Sequence, residues 1–263
     1  MKTKYRLVVM IVAVVVLLAL SVHVRASKLD SRIESLARKS YVFKTYLQSD
    51  DIKIQSKDGA VTLVGTVSEE SHKALAQETV ASLPGVKSVD NRLEVKGEGP
   101  VENSDARLTT KVKTMLLFHQ KVSDITEVNT KDGIVALQGQ ANSQAQKDLA
   151  TEYAKDVEGV KDVNNEMTVS KTPIKTQTVG VKIDDASINA LVKMTLLYHQ
   201  STSALNTSVT TNMGVVTLSG KAKNEAEKDL ATKLARDVKG VKVVNNQMTI
   251  DSPGLKLRKM MHR

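Results

Sequence analysis

Gly159-Val160-Lys161-Asp162-Val163-Asn164-Asn165-Glu166-Met167-Thr168-Val169 returns further along the chain as Gly240-Val241-Lys242-Val243-Val244-Asn245-Asn246-Gln247-Met248-Thr249-Ile250. A match of this length within one chain marks an internal repeat, and a repeat sets the architecture before any single element is assigned. A more divergent copy lies upstream, Pro84-Gly85-Val86-Lys87-Ser88-Val89-Asp90-Asn91-Arg92-Leu93-Glu94-Val95. Working outward, Lys147-Asp148-Leu149-Ala150-Thr151 pairs with Lys228-Asp229-Leu230-Ala231-Thr232, and Leu116-Leu117-Phe118-His119-Gln120 pairs with Leu196-Leu197-Tyr198-His199-Gln200. Gly65, Gly139 and Gly220 stand mid-copy, and Gly85, Gly159 and Gly240 stand later in step with them.

Each copy opens on a helical pattern. Leu108, Val112, Met115, Leu116 and His119 share one helix face, as do Ile188, Val192, Thr195, Leu196 and His199. In the first copy Ile33, Leu36, Ala37, Phe43 and Leu47 take this part less regularly. A hairpin follows, with Asp58-Gly59 and Asp132-Gly133 between alternating runs, a turn that needs positive φ. The third copy has Met213 before Gly214, so its turn is less firmly specified. The mid-strand glycines share the apolar phase, which implies either a helix packed closely over the strand or a bend in the strand. Ser143 with Gln146, and Asn224 with Glu227, are spaced as a cap and its reciprocal acceptor. The helix they open buries Leu149, Ala150, Tyr153, Ala154 and Val157, or Leu230, Ala231, Leu234, Ala235 and Val238, and Gly159 or Gly240 stops it. A last strand completes the copy.

The order is helix, strand, strand, helix, strand. Two amphipathic helices over a three-stranded sheet make a two-layer α+β module. The chain therefore reads as three tandem αββαβ modules at 28–96, 104–170 and 184–251, each expected to be autonomous. The linkers are Gly97-Glu98-Gly99-Pro100 and the stretch from Lys171 to Lys182. Aromatic residues are only 3% of the chain, with no Trp, which favours several small aliphatic cores over one large one.

Residues 1–26 stand apart. Lys2, Lys4 and Arg6 precede an apolar run from Leu7 to Leu20, which ends in Val24-Arg25-Ala26. This predicts a hydrophobic helix serving as a signal peptide cut after Ala26, or as an uncleaved membrane anchor. Either way the basic end stays cytoplasmic and the remainder is exported, which predicts a periplasmic protein, free or held at the inner membrane. The formal charge of +9 belongs to the two ends: Lys2, Lys4, Arg6 and Arg25 at one, Lys256, Arg258, Lys259 and Arg263 in the basic tail 252–263. Without these eight, 30 Lys and Arg face 29 Asp and Glu, so the body is almost neutral. The absence of cysteine excludes disulfides, thiolate metal sites, a cysteine nucleophile and a lipid-modified cysteine.

The αββαβ order, the mid-strand glycines and the Gly-Val-x-x-Val-x-Asn-x-(Leu/Met)-x-(Val/Ile) endings resemble the BON-domain family. The resemblance covers nearly everything from Lys28 to Asp251. The exported, multi-copy layout is similar to the OsmY-type periplasmic proteins, in which two copies are usual and three a departure. It implies a non-enzymatic role in osmotic stress and envelope integrity, with phospholipid or envelope proteins as partners and no catalytic residues to carry over.

The residues themselves agree with that expectation. His119 and His199 hold matching helix-end positions, where the helix dipole favours a histidine; a ligand or a pH switch is the rival reading. Asn91, Asn165 and Asn246 either contact a ligand or, more simply, bond local backbone where a strand begins. No sequence cluster has metal-ligand spacing, no acid–base pair or cofactor fingerprint is present, and the glycines form no phosphate loop. No Gly-x-x-Gly or aromatic platform supports nucleic-acid binding. The six glycines are read as structural. Lys256, Arg258, Lys259 and Arg263, interleaved with Leu255, Leu257, Met260 and Met261, are the candidate lipid contacts.

Overall fold

The first module runs α1 (residues 28–39), α2 (Tyr41–Thr45), β1 (Asp51–Lys57), β2 (Ala60–Val67), α3 (Glu70–Ala81) and β3 (Ser88–Val95). The second runs α4 (Asp105–Phe118), β4 (Ile125–Lys131), β5 (Ile134–Ala141), α5 (Gln144–Lys155), β6 (Asp162–Asn165) and β7 (Thr168–Val169). The third runs α6 (Asp185–Tyr198), β8 (Thr207–Asn212), β9 (Val215–Ala222), α7 (Glu225–Asp237), β10 (Val243–Asn246) and β11 (Thr249–Ile250). This computed structural model describes residues 28–96, 104–122, 125–170, 182–202 and 207–250. The apolar N-terminal segment and the basic tail, including Lys256, Arg258, Lys259 and Arg263, lie outside the described residues. Among the described residues no helix is long and apolar enough to cross a membrane.

The α+β modules take the topology that the sequence predicts. In each, the middle strand (β2, β5 or β9) pairs antiparallel with the strand before it and parallel with the strand after the second helix. Inward positions alternate, with Val61, Leu63 and Val67 buried on β2 and Val216, Leu218 and Ala222 on β9. In modules two and three the last strand is broken into two pieces, both paired to the same middle strand. The first module departs at its opening helix, which breaks at Ser40; that hydroxyl donates to the Ala37 carbonyl and caps α2 by accepting from the Phe43 amide.

A device repeated three times fixes the hairpins. An aspartate in the first helix of each module accepts both amides of the following turn. Asp30 takes Asp58 N at 2.9 Å and Gly59 N at 3.0 Å, Asp105 takes Asp132 N at 2.7 Å and Gly133 N at 2.9 Å, and Asp185 takes Met213 N at 2.8 Å and Gly214 N at 2.9 Å. Both central residues of each turn have positive φ, including Met213 at +50°. The clamp explains why the third turn forms without Asp: two bonds to a carboxylate offset the cost of a left-handed Met.

The mid-strand glycines hold a backbone conformation that other residues rarely adopt. Gly65, Gly139 and Gly220 have φ of +126°, +138° and +119°. A Cβ on Gly65 would collide with the carbonyl oxygen of Asp51 on the paired strand, so there it is backbone, not a covering helix, that leaves no room.

The modules pack against one another. Modules one and three share one hydrophobic core, in which Leu75, Ala76 and Val80 of α3 join Ile188, Leu191 and Met194 of α6. The N-terminus of α2 is held by module three, where Asp184 accepts from Tyr41 N at 2.7 Å and Ser187 Oγ from Val42 N at 3.1 Å. Asn189 Nδ2 donates to Ser82 Oγ at 2.7 Å, and Lys193 pairs with Glu78 at 2.7 Å. Helix α6 is consequently buried on almost every side: Ala190, Leu191 and Met194 are covered where the equivalent α4 positions are Thr110, Lys111 and Thr114.

Two substitutions test these local devices. Met213→Asp restores the turn residue of the other modules and is expected to raise stability by about 0.5–1 kcal/mol in chemical denaturation, since Asp tolerates this conformation better. Gly139→Ala adds one methyl group to a left-handed position and is expected to lower stability by about 1–3 kcal/mol. An unchanged denaturation midpoint for Gly139→Ala would show that this backbone conformation costs a side chain nothing.

Candidate functional site

The three modules meet around a cleft of about 500 Å³. Its walls come from the starts of α3 and α4, the end of β3 and the last turn of α6. Ala74, Val95, Met194 and Leu197 supply apolar surface; Leu197 is 48% exposed although it lies in an otherwise buried helix. Lys96, Arg107 and Lys111 supply cations around it, with Glu69, Glu70 and Glu158 interspersed. Tyr198 closes one side, its phenol pushed up in pKa mainly by burial while a hydrogen bond with Ser71 opposes that rise. Charged rims over an apolar floor suit a ligand with both characters.

A second polar assembly joins modules two and three. His119 and His199 follow α4 and α6 as their C-cap residues, and both imidazoles are buried. Each crosses to a carboxylate at the end of the other module's second helix. His119 Nδ1 lies 3.2 Å from Asp237 Oδ2, and His199 Nδ1 lies 2.6 Å from Asp156 Oδ2. The backbone follows the same reciprocal pattern: Gln120 N donates to Asp237 O and Gln200 N to Asp156 O, both at 2.9 Å. Tyr153 packs against both rings, stacked on His119 at 4.0 Å and edge-on to His199 at 5.6 Å, and its hydroxyl donates to Asp237 Oδ2 at 2.9 Å. Burial and the Asp237 carboxylate raise the Tyr153 pKa. Lys121 Nζ stands 3.4 Å from Asp237 Oδ1, an ion-pair distance without hydrogen-bond alignment.

These positions change the reading of the histidines. A helix-end imidazole favoured by the dipole sits in water beside the last carbonyls; these two are buried and bond to carboxylates of the neighbouring module. The asparagines have a local role and a further one. Asn165 Oδ1 accepts from Met167 N at 3.0 Å, and its Nδ2 donates to Lys147 O and Thr151 Oγ1 at 2.8 Å, tying the strand break to α5. Asn246 repeats this on α7, and Asn91 makes the corresponding bonds to Leu93, Lys73 and Gln77. Gly85, Gly159 and Gly240 follow the second helices with φ of +93°, +95° and +86°. Among the described residues no group of three or more His, Asp and Glu is placed to hold a metal ion.

Comparison with known proteins adds the following. The profile of the BON domain matches residues 29–97, 104–171 and 184–252. The osmotically-inducible protein Y of Escherichia coli K12 is 35% identical over 143 residues, 52% of this chain and 71% of that protein. A protein of Anaplasma centrale, described as an uncharacterized protein in the gshII 5′ region, is 32% identical over 140 residues, 53% of this chain and 90% of its own length. A solved structure of CdsD, a structural protein of the type III secretion system of Chlamydia trachomatis, is 16% identical with a TM-score of 0.26, covering 88% of this chain and 96% of that one.

Tyr153→Phe tests the joint. It removes one hydrogen bond from a buried carboxylate and is expected to lower stability by about 1–2 kcal/mol in denaturant titration. A value within error of zero would show that Tyr153 contributes only through its ring.

Proposed function

This chain belongs to the BON-domain family through all three of its modules, and from that premise we propose that it is a non-enzymatic protein of the bacterial envelope that binds phospholipid surfaces. The observation that carries this reading is the three-module cleft. It offers exposed Leu197 and neighbouring apolar side chains beside Lys96, Arg107 and Lys111, a pairing that suits an acyl chain below an anionic headgroup. The basic N-terminal start followed by an apolar run supports export to the periplasm, with or without retention at the inner membrane. The name of the Escherichia coli relative supports a place in the osmotic response. The basic tail adds long-range attraction for anionic lipid, each cation contributing at most about 1 kcal/mol near a charged surface.

Flotation of the exported form with vesicles containing phosphatidylglycerol tests the reading. Deleting 255–263 is expected to remove the part of the binding that falls with added salt, as screened attraction must. Leu197→Asp is expected to reduce the salt-resistant remainder by roughly tenfold, since it places a charge where an apolar side chain was half-exposed. Absence of flotation for the intact exported form would remove lipid from the mechanism and leave a protein-binding adaptor.

A further inference from the structure

We infer that the joint between modules two and three is an acid-sensitive latch, closed while the buried imidazole of His119 is neutral and released when that ring takes up a proton. The geometry carries this. With Nδ1–H of each ring directed at a carboxylate, each Nε2 is left as a bare acceptor, and both Nε2 atoms are buried with no hydrogen-bond partner among the described residues. Protonation of His119 turns its Nε2 into a buried donor with nothing to donate to, an expensive state.

The groups facing His119 set the direction. His119 meets Asp237 from the end of α7, Tyr153 from α5, His199 from the segment after α6, and Lys121 from its own segment. Burial, the largest influence, holds its pKa below the ordinary 6.5; Asp237 opposes, and His199 and Lys121 add to the depression. His199 meets Asp156, Tyr153 and His119, and Ser201 Oγ bonds the same Asp156 carboxylate. A histidine depressed in the closed form is protonated more readily in the open one. The latch therefore has full strength above the ordinary imidazole pKa and loses it as pH falls through 6.5 toward the closed-state value. Asp156 behaves differently: burial raises its pKa, but the His199 and Ser201 hydrogen bonds outweigh this and hold it below the ordinary 3.8, so its contribution is lost only in strong acid. The two effects are thus separated in pH. Release uncovers Phe118, Val157 and Val238, all buried in the closed joint.

The chain has no cysteine, so labels can be introduced cleanly. Spin labels on Asn129→Cys and Ser208→Cys, both exposed and in different modules, report the joint in the full chain. A single distance is expected at pH 7.5, with a second, longer population at pH 5 that disappears on return to neutrality. A proton taken up by one imidazole only in the open form changes the open-to-closed ratio by at most about 30-fold over this range. His119→Gln keeps a donor for Asp237 and cannot titrate, and is expected to abolish the change. An unchanged distribution at pH 5, a change that survives in His119→Gln, or a change accompanied by loss of far-ultraviolet circular dichroism would each overturn the latch. If His119→Gln opens the joint at neutral pH, Lys121→Met decides instead. Without that ammonium His119 accepts a proton more easily in the closed form, so release moves to lower pH; an unmoved release pH counts against the proposal.

Discussion

The structure depends on the burial of helix α6. A module of about 70 residues with few aromatic side chains has a marginal core. Here modules one and three solve that problem jointly, by enclosing one helix between them. Leu191 alone, fully buried, contributes on the order of 2–3 kcal/mol relative to exposure. Everything around α6 follows from this: the anchoring of α2 by Asp184 and Ser187, the polar pair from Asn189 to Ser82, and the position of Leu197 and Tyr198 at the three-module cleft. The last turn of the same helix delivers His199 to the joint with module two.

One module is therefore used in three ways. The sheet, the aspartate clamp and the asparagine tie are common to all copies, whereas the outward faces diverge according to neighbours. Helix α4 keeps Arg107 and Lys111 beside the cleft, where α6 has Ser187 and Leu191 facing module one. The reciprocal joint resembles the contact of a symmetric dimer, with the same two segments exchanged, but side chains differ: Tyr153 occupies the place of Leu234, and Lys121 that of Ser201. The first of these differences packs a phenol against both imidazoles and directs its hydroxyl at Asp237.

The modules were readable in the sequence because their signals are local. Asp-Gly turns, period-two strands, helix caps and the repeated endings each depend on a few adjacent residues. Relations between modules leave weaker traces. The change from Thr110, Lys111 and Thr114 to Ala190, Leu191 and Met194 makes α6 apolar on a face that is polar in α4, and that comparison identifies it as the enclosed helix. The aspartate clamp has a regular spacing, from Asp105 to Gly133 and from Asp185 to Gly214, but a carboxylate so far from its turn is not recognisable without the fold. The histidines stand at matching helix ends, yet their partners Asp156 and Asp237 are isolated acidic residues on helices with many others. The mid-strand glycines could be narrowed to a bend or a close helix, whereas their shared positive φ emerges only from the fold.

Hydrogen exchange on the full chain, with and without Leu191→Lys, tests most directly whether α6 unites the modules. The substitution puts into α6 the lysine that α4 carries at the same position. If the modules share their stability through this helix, amides of α3 in module one lose protection together with those of α6 and β9. If α3 keeps its full protection while only module three weakens, the modules are independent bodies and the central account fails.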